Sequence, residues 1–290
     1  MGLRHLEMEI SGRTGLIGLL GSPVAHSLSP AMHNEAFRIN GLDYVYLAFD
    51  VGEGDLEQAV AGLKAMGARG WNLTMPDKTR MAELCDELSP AARIIGAVNT
   101  VVNDDGRLTG HITDGTGFMA MLGEQGVTLT GEKMVICGAG GAARAVAVQA
   151  ALDGLGEIVI VNRSLEKAAE VAASICDHTD CAARALPLAD GAAFSRELED
   201  AAILVNGTKL GMAPHPETCV VADPSVLRPG MTVADLVYNP RQTRLLTAAA
   251  ERGCRAVGGL GMLMWQGAHA FRLWTGQDMP VEAVKRKVFS

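Results

Sequence analysis

Residues 134–143 read MVICGAGGAA, and this stretch decides the fold of the chain. An apolar run leads into Gly138, Gly140 and Ala143, which have the spacing G-x-G-x-x-A, and a helix-like stretch over 142–152 follows. In such a unit one glycine makes the tight turn, one lets the backbone approach a pyrophosphate, and a small third residue lets the helix pack on the strand. The stretch therefore predicts a strand, a phosphate-binding turn and a helix.

The sequence around the glycine turn matters because a lone G-x-G-x-x-A also fits an ordinary connection between a strand and a helix. A second apolar run over 158–161 completes a strand–helix–strand unit, and a helical pattern over 165–175 and apolar runs over 201–205 and 232–237 extend it. These neighbours favour a dinucleotide-binding domain. Because the unit begins only at residue 134 of 290, the residues before it have another task, and we expect substrate binding.

Composition excludes several classes of function. A chain of 290 residues that is 48% hydrophobic can form two domains with sizeable cores. Its net charge of −8 disfavours nucleic acid or an anionic membrane as the main partner. It has no apolar run of the roughly 18 residues that a membrane span needs, and the first residues lack the apolar core of a signal peptide. The six cysteines form no C-x-x-C pair, so we expect a reducing cytoplasm and no bound metal.

The part of the chain before the glycine turn alternates strand-like and helix-like stretches, as in an open α/β layer. The turn signal Asn103-Asp104-Asp105-Gly106 predicts a hairpin. A second region begins near residue 114, and a long apolar helix is predicted over 262–274, with hinges near 113–116 and 258–261. The strands predicted for the first part cover 14–20, 43–49, 70–73, 96–102 and 108–113, and the helices cover 30–40, 56–66 and 77–88.

Two charged residues are candidates for proton transfer. Lys78 follows a strand and a proline-closed turn and stands at the predicted start of a helix, where the positive end of the helix dipole disfavours a lysine. A lysine there can serve as a proton donor or acceptor, or it can be a solvated residue on a helix edge. Asp114 precedes Gly115 and Thr116, so it can be a helix cap. If Asp114 faces Lys78, the pair suits proton transfer to or from a hydroxyl during hydride transfer.

A polar loop over residues 21–30 separates the first predicted strand from the first helix. Ser27 and Ser29 point the same way if the loop is extended, so both can hold one anion or polyol. Alternatively, Ser29 caps the helix, with Pro30 at its first position. We interpret His26 as structural.

The residues after the second strand of the nucleotide unit indicate the cofactor. Folds that prefer NAD usually place an acidic residue at this position to bind the ribose hydroxyls, but here the chain reads Asn162-Arg163-Ser164. Arg163 can hold a 2′-phosphate with help from Ser164 and Lys167, which favours NADP. The alternative is an exposed arginine at a strand end.

Taken together, these motifs resemble the shikimate dehydrogenase family over nearly the whole chain. The resemblance implies NADP(H)-dependent, reversible reduction of 3-dehydroshikimate to shikimate, a step toward chorismate and the aromatic amino acids. It also implies an α/β substrate domain with an open mixed sheet over 1–113, a Rossmann-type NADP-binding domain over 114–258, and a C-terminal helix that returns so that 259–290 complete the first domain. The stretches that carry it are SPVAHSLSPAMHNEAF, GWNLTMPDK, GAVNT, TDGTGF, GAGGAARA, NRS, NGTKLGM and GGLGMLMWQGAHAFRLWTG.

The resemblance also assigns roles residue by residue. It makes Lys78 and Asp114 the pair that handles the proton. The substrate's carboxylate and hydroxyls would be held by Ser27, Ser29, Asn72, Thr74, Lys78, Asn99, Asp114, Tyr238 and Gln266. The cofactor's pyrophosphate would lie on Gly138, Ala139, Gly140, Gly141 and Ala142, its adenosine end on Asn162, Arg163, Ser164 and Lys167, and its nicotinamide against Leu236 and Gly259.

Some positions depart from the family pattern, and two alternatives stay open. Ile112 stands where the family commonly has asparagine, and Leu236 where methionine is frequent. Several stretches also resemble the quinate/shikimate branch, which uses NAD or NADP and accepts quinate, whereas Ser29, Asn72 and Thr74 resemble the shikimate-selective type. A non-catalytic metabolite or nucleotide sensor is the alternative from another class, and it would require the loss of the Lys/Asp pair. The sequence leaves the oligomeric state, including a homodimer, open.

Overall fold

The computed structural model describes residues 10–288, which divide into two compact units. The first unit contains the described residues up to Thr113 and those from Met264 onward, and the second unit runs from Asp114 to Leu263. Each unit contains a six-stranded sheet. No described helix is both long and apolar enough to cross a bilayer.

The first unit is built from alternating strands and helices. Its strands are β1 Gly15–Gly21, β2 Tyr44–Asp50, β3 Gly70–Leu73, β4 Glu87–Leu88, β5 Thr100–Asp104 and β6 Arg107–His111. Its helices are α1 Ser29–Asn40, α2 Leu56–Ala65, α3 Lys78–Leu84 and α4 Pro90–Ile95, together with the later part of α10 Leu260–Thr275 and all of α11 Val281–Val288.

The second unit repeats strand and helix regularly. Its strands are β7 Lys133–Cys137, β8 Glu157–Asn162, β9 Ala182–Pro187, β10 Ile203–Asn206, β11 Thr232–Asp235 and β12 Arg255–Gly258. Its helices are α6 Gly141–Leu152, α7 Leu165–His178, α8 Gly191–Leu198 and α9 Arg244–Glu251, and α5 Thr113–Glu124 leads into it.

The sheet of the first unit is mixed, as predicted, with the order β2-β1-β3-β5-β6-β4. Strands β1, β2 and β3 run parallel, so their carboxyl ends meet at one edge, and β5 runs antiparallel to β3 and β6. The predicted hairpin between β5 and β6 is confirmed, and Asp105 and Gly106 both have positive φ in its turn, at 51° and 91°. The loops after β1 and β3 therefore leave the sheet side by side.

Helix α10 packs closely on α1 at Gly267 and on the sheet at Gly70. A side chain at Gly267 would approach the Met32 Cε atom to 2.1 Å, and one at Gly70 would approach the Trp274 Nε1 atom to 2.4 Å. The Trp274 indole N–H donates to the Val101 carbonyl oxygen at 2.9 Å. These contacts fix the part of α10 that carries Gln266 against the core of the first unit.

The sheet of the second unit is entirely parallel, with the order β12-β11-β10-β7-β8-β9. Its central strands β7, β8, β10 and β11 are almost wholly buried, as expected for a sheet covered on both faces. The strand order reverses at β7, and ligands of open α/β sheets bind at the carboxyl end of such a strand. This arrangement confirms the Rossmann-type domain, with the glycine turn at its switch point.

The structure differs from the sequence prediction at the end of one helix and at the start of one strand. The helix predicted over 77–88 ends at Leu84, because Cys85 adopts an extended backbone and leads into β4. The strand predicted from Gly96 begins only at Thr100, because Gly96 has a φ of 69° and ends helix α4. The structure also contains elements that the sequence patterns did not indicate, namely β4, β9, β12, α4, α8, α9 and α11.

Candidate active site

The end of β1 provides the first wall of the site in the first unit. Gly21 has a φ of 150°, and a side chain there would approach the Thr74 Cγ2 atom to 2.4 Å. The Thr74 backbone N–H donates to the Leu20 carbonyl oxygen at 2.9 Å, so the residue after β3 lies directly against the end of β1. Thr74 is half-buried at this edge of the sheet.

Ser27 and Ser29 lie at the start of α1, but they have different tasks. The Ser27 hydroxyl oxygen accepts the Ser29 backbone N–H at 3.2 Å. Leu28 occupies the cap position and its side chain makes no capping bond. Ser29 is therefore the first residue of α1 and not its cap. The alternative in which Ser29 serves as the helix cap is therefore wrong.

Asn72 is buried at the centre of a cluster of polar side chains. Its Oδ1 atom accepts the Tyr46 hydroxyl at 2.7 Å, and its Nδ2 group donates to the Asn99 carbonyl oxygen at 3.0 Å and to the Thr100 Oγ1 atom at 2.9 Å. Both amide hydrogens are therefore used inside the protein. Asn72 can offer a ligand only a remaining acceptor site on Oδ1.

Asn99 joins the polar cluster to the start of α5. Its Oδ1 atom accepts the backbone N–H of Thr113 at 2.8 Å, the Thr113 hydroxyl at 3.2 Å and the Thr100 hydroxyl at 3.0 Å. Asn99 therefore caps the first residue of α5 from the neighbouring strand region. Asp114 follows in the first turn of this helix, where a carboxylate interacts favourably with the helix dipole.

Lys78 begins α3, as the sequence predicted. The Val98 backbone N–H donates to the Lys78 carbonyl oxygen at 2.9 Å, so the start of α3 is tied to the segment that carries Asn99. The Lys78 side chain is half-buried, and Gln266 is half-buried on α10. The first unit thus holds the following predicted substrate residues: Ser27, Ser29, Asn72, Thr74, Lys78, Asn99 and Gln266.

Asp114 and Tyr238 belong to the second unit. A side chain at Gly115 would approach the Ala145 carbonyl oxygen to 2.3 Å, so α5 crosses α6 in backbone contact immediately beside Asp114. This crossing places the start of α5 against the helix that follows the glycine turn. Tyr238 is 49% exposed after β11.

The glycine turn has the shape that a pyrophosphate requires. Gly138 has a φ of 111°, and a side chain there would approach the Gly207 carbonyl oxygen to 2.9 Å. Gly140 and Gly141 are exposed, and a side chain at either would have no protein atom within 4 Å, so a ligand can approach their backbone. A side chain at Gly207 would lie 2.6 Å from the Ala143 Cβ atom, which explains the small third residue. These residues fit a dinucleotide at the N-terminus of α6.

The turn after β8 is fixed by hydrogen bonds among its own residues. The Asn162 Nδ2 group donates to the Ser164 carbonyl oxygen at 3.0 Å, and the Ser164 hydroxyl oxygen accepts the Lys167 backbone N–H at 3.4 Å. Ser164 is therefore the cap of α7. Arg163 and Lys167 are both exposed on this turn. Two cations at the end of β8, with no carboxylate on its last residue, fit the 2′-phosphate of NADP.

The loop after β11 depends on Asp235, a residue that the sequence analysis did not single out. Its carboxylate accepts the Val237 N–H at 3.0 Å, the Asn206 Nδ2 group at 2.9 Å and the Thr243 hydroxyl at 2.6 Å. Burial raises the pKa of Asp235, and these hydrogen bonds oppose that shift. Asp235 therefore shapes the loop that contains Leu236 and Tyr238.

Gly259 lies close to the same loop. A side chain there would approach the Leu236 carbonyl oxygen to 2.5 Å and the Asp235 carbonyl oxygen to 2.9 Å. The absence of a side chain therefore has a packing reason, in addition to the predicted role beside the nicotinamide. Tyr46 is the other residue that sequence reasoning missed, since alternation along β2 predicts a face but not the partners of a hydroxyl.

Within residues 10–288, no group of three or more metal-ligating side chains is arranged to hold a metal ion. A cavity of about 750 Å³ in the first unit is lined by Gly15, Tyr44 and Arg69 among others, and by none of the predicted site residues. It lies at the amino ends of the parallel strands, opposite the edge that carries Thr74.

Three family models match the chain. Residues 19–101 match the shikimate dehydrogenase substrate binding domain, residues 121–209 match shikimate / quinate 5-dehydrogenase, and residues 259–289 match the shikimate 5′-dehydrogenase C-terminal domain.

Relatives match over almost the full length. The shikimate dehydrogenase (NADP(+)) of Listeria monocytogenes is 51% identical over 97% of this chain and 98% of its own length. A crystal structure of shikimate 5-dehydrogenase from the same organism, in complex with shikimate and NAD, has a TM-score of 0.95 at 50% identity and covers 98% of this chain and 99% of its own. The Thermus thermophilus enzyme, in complex with NADP(H) and shikimate, has a TM-score of 0.83 at 37% identity and covers 95% and 98% of the two chains.

Proposed function

The chain belongs to the shikimate dehydrogenase family, and on that premise we propose that it catalyses the reversible, NADP(H)-dependent reduction of 3-dehydroshikimate to shikimate. The observation that carries this proposal is the composition of one sheet edge in the first unit. The loops and helix starts at the carboxyl ends of β1 and β3 carry Ser27, Ser29, Thr74 and Lys78. These groups suit a small polyhydroxylated carboxylic acid, and the second unit supplies the dinucleotide turn.

We assign the proton chemistry to Lys78 and Asp114. Oxidation of a secondary alcohol removes a proton from the hydroxyl oxygen while a hydride leaves the carbon. In the forward reduction the pair returns that proton to the carbonyl oxygen. The half-buried position of Lys78, and the place of Asp114 in the first turn of a helix capped by Asn99, support this assignment.

The nicotinamide cofactor, when bound, supplies or accepts the hydride. The glycine turn from Gly138 to Ala142 would hold the pyrophosphate, and Arg163 with Lys167 would hold the 2′-phosphate. Exposure of both cations beside the Ser164 cap supports NADP over NAD. Leu236 and Gly259 would line the nicotinamide.

We assign substrate binding and cofactor binding to different units. Residues 1–113 and 259–290 form the substrate-binding domain, and residues 114–258 form the NADP-binding domain. The match of residues 19–101 to a substrate binding domain supports the first assignment, and the parallel sheet supports the second. The six cysteines, all free thiols, support a reducing, cytoplasmic location. A homodimer is compatible with this function but is not required by it.

Oxidation of quinate is the second candidate, because one matching family model is described as shikimate / quinate 5-dehydrogenase. Quinate has an additional hydroxyl on a saturated ring, so the space beside Ser29 and Thr74 decides between the two substrates.

The test is direct. The purified protein is mixed with shikimate and NADP⁺, and NADPH is followed by its absorbance while the product is identified by chromatography against authentic 3-dehydroshikimate. We expect NADPH and 3-dehydroshikimate in equal amounts. Binding of NADP⁺ without formation of either product would instead support a sensor.

A further inference from the structure

The Thr100 hydroxyl lies at the centre of a buried group of hydrogen bonds in the first unit. Antiparallel pairing of β3 with β5 sets Thr100 directly opposite Asn72, so the two side chains lie on the same face of the sheet. The Asn72 Nδ2 group donates to the Thr100 Oγ1 atom at 2.9 Å, and the Thr100 hydroxyl donates to the Asn99 Oδ1 atom at 3.0 Å. Thr100 therefore joins two of the side chains that we assign to the substrate.

Backbone groups fix the orientation of both asparagine amides. The Asn99 carbonyl oxygen can only accept a hydrogen bond, so the Asn72 atom that lies 3.0 Å from it must be Nδ2. The Thr113 backbone N–H can only donate, so the Asn99 side-chain atom that lies 2.8 Å from it must be Oδ1. The group between the two amides must therefore accept from Asn72 and donate to Asn99. A hydroxyl does both, whereas a methyl group does neither.

The Thr100 side chain has no hydrogen-bonding capacity left for a ligand. It is fully buried, and its single hydroxyl hydrogen is donated to Asn99. Its oxygen accepts the Asn72 amide and also lies 3.2 Å from the Thr113 hydroxyl oxygen. Any effect of Thr100 on a substrate must therefore pass through the residues around it.

We propose that Thr100 is a positioning residue for the substrate, which acts by holding the side-chain amides of Asn72 and Asn99 in the orientation that binding requires. The proposal rests on the proposed function, because it needs these two amides to contact the substrate. Without the Thr100 hydroxyl, one amide hydrogen of Asn72 would be unpaired in a buried setting, which favours rotation of the amide toward another partner. Such a rotation would move the acceptor site that Asn72 can offer to a ligand.

The test compares Thr100→Val, which keeps the β-branched shape and removes the hydroxyl, with Thr100→Ser, which keeps the hydroxyl. We expect the KM for shikimate to rise about tenfold in Thr100→Val, as for one lost hydrogen bond in the site, with the KM for NADP⁺ within about twofold of wild type. Thr100→Ser should return the KM for shikimate to within about threefold of wild type. Rescue by serine separates the effect of the hydroxyl from that of side-chain packing.

The matched control is Thr109→Val, the same substitution on the neighbouring strand β6. Thr109 is half-buried, and its antiparallel partner on β5 is Val102, which has no polar side chain. We expect this control to bind and oxidise shikimate as wild type does. A rise in KM as large as that of Thr100→Val would show that the effect is not specific to Thr100, and it would overturn the proposal.

A double-mutant cycle with Asn72→Ala shows whether Thr100 acts through Asn72. If it does, Thr100→Val should change the dissociation constant for shikimate, measured by calorimetry without cofactor, much less in the Asn72→Ala background than in wild type. Independent effects in the cycle, or an unchanged KM in Thr100→Val, would overturn the proposal. A Thr100→Val protein that does not fold while Thr100→Ser does would also overturn it, because the hydroxyl would then be structural.

The wild-type measurements separate this proposal from the function on which it rests. If wild type oxidises shikimate and Thr100→Val matches it in KM, only the positioning role is overturned. If wild type neither binds nor oxidises shikimate, both proposals are overturned.

Discussion

The backbone N–H of Thr113 donates to the Oδ1 atom of Asn99 at 2.8 Å, which caps helix α5 one residue before Asp114. Asn99→Ala would leave this N–H and the hydroxyls of Thr100 and Thr113 without their acceptor in a buried setting. We expect the variant to lose about 2–4 kcal/mol of unfolding free energy in urea titrations. Thr113→Val keeps the backbone N–H and removes only the hydroxyl, so it should lower the unfolding free energy by only about 1 kcal/mol. Equal stability of wild type and Asn99→Ala would show that the cap is dispensable.

Lys78 should be essential for turnover but not for cofactor binding. Removing a general acid or base typically lowers the rate about 10²–10⁴-fold. We therefore expect the kcat of Lys78→Ala to be at least about 10²-fold lower than that of wild type. The dissociation constant for NADP⁺, measured by fluorescence or calorimetry, should stay within about twofold of wild type because the glycine turn is untouched. Lys64→Ala, on the exposed face of α2, is the control and should retain full activity. Appreciable turnover in Lys78→Ala would refute the assigned role.

Arg163 should decide between the two nicotinamide cofactors. A charge-assisted hydrogen bond to a phosphate contributes about 1.5–3 kcal/mol, so Arg163→Ala should raise the KM for NADP⁺ about 10- to 150-fold. The KM for NAD⁺ should hardly change, because NAD⁺ lacks the 2′-phosphate. The control variant is Arg196→Ala, which removes an exposed arginine on α8. A similar rise for both cofactors would mean that Arg163 only supports the fold of the turn.

Glu197 gives the stability of the second unit a defined pH dependence. Hydrogen bonds from Arg184, at 2.7 Å, and ion pairing with Lys133, at 3.0 Å, lower the pKa of Glu197 from 4.5 to about 2. The folded state binds the Glu197 carboxyl proton less tightly than the unfolded state does. The contribution of Glu197 to the unfolding free energy is therefore complete above pH 4.5 and is lost as the pH falls toward 2. Glu197→Gln should therefore cost about 1–3 kcal/mol at pH 7, allowing for the partial exposure of Arg184.

The measurement for Glu197 is a urea titration at several pH values between 2 and 7. The stability difference between wild type and Glu197→Gln should shrink as the pH falls. Glu170→Gln, on the exposed face of α7, should follow wild type throughout. A difference that is independent of pH would show that the carboxylate charge is not responsible.

The features that sequence alone predicted are those with local physical causes. The glycine turn was predictable because Gly138 needs a positive φ and because Ala143 must be small, and both requirements are met within ten residues. Helix α4 also has a local signal that the longer predicted helix obscured. Ser89 accepts the Ala92 N–H at 3.4 Å, and Pro90 begins the helix, which is a standard start.

The features that sequence alone could not predict depend on distant partners. The Tyr46 hydroxyl and its acceptor Asn72 are 26 residues apart in sequence. Asp235 accepts a hydrogen bond from Asn206, which is 29 residues away. No periodicity identifies such pairs. Asn206 and Asp235 are paired by the register of β10 and β11, and Tyr46 and Asn72 lie on strands that β1 separates. Strand β12 was missed because half of its residues are exposed, so it lacks the apolar run that marks the central strands.

A comparison of kcat/KM for shikimate and quinate, each with NADP⁺ and with NAD⁺, distinguishes a shikimate dehydrogenase from a quinate dehydrogenase. We expect shikimate with NADP⁺ to be the most efficient pair, by at least about tenfold over quinate with either cofactor. A higher efficiency with quinate than with shikimate would contradict this expectation.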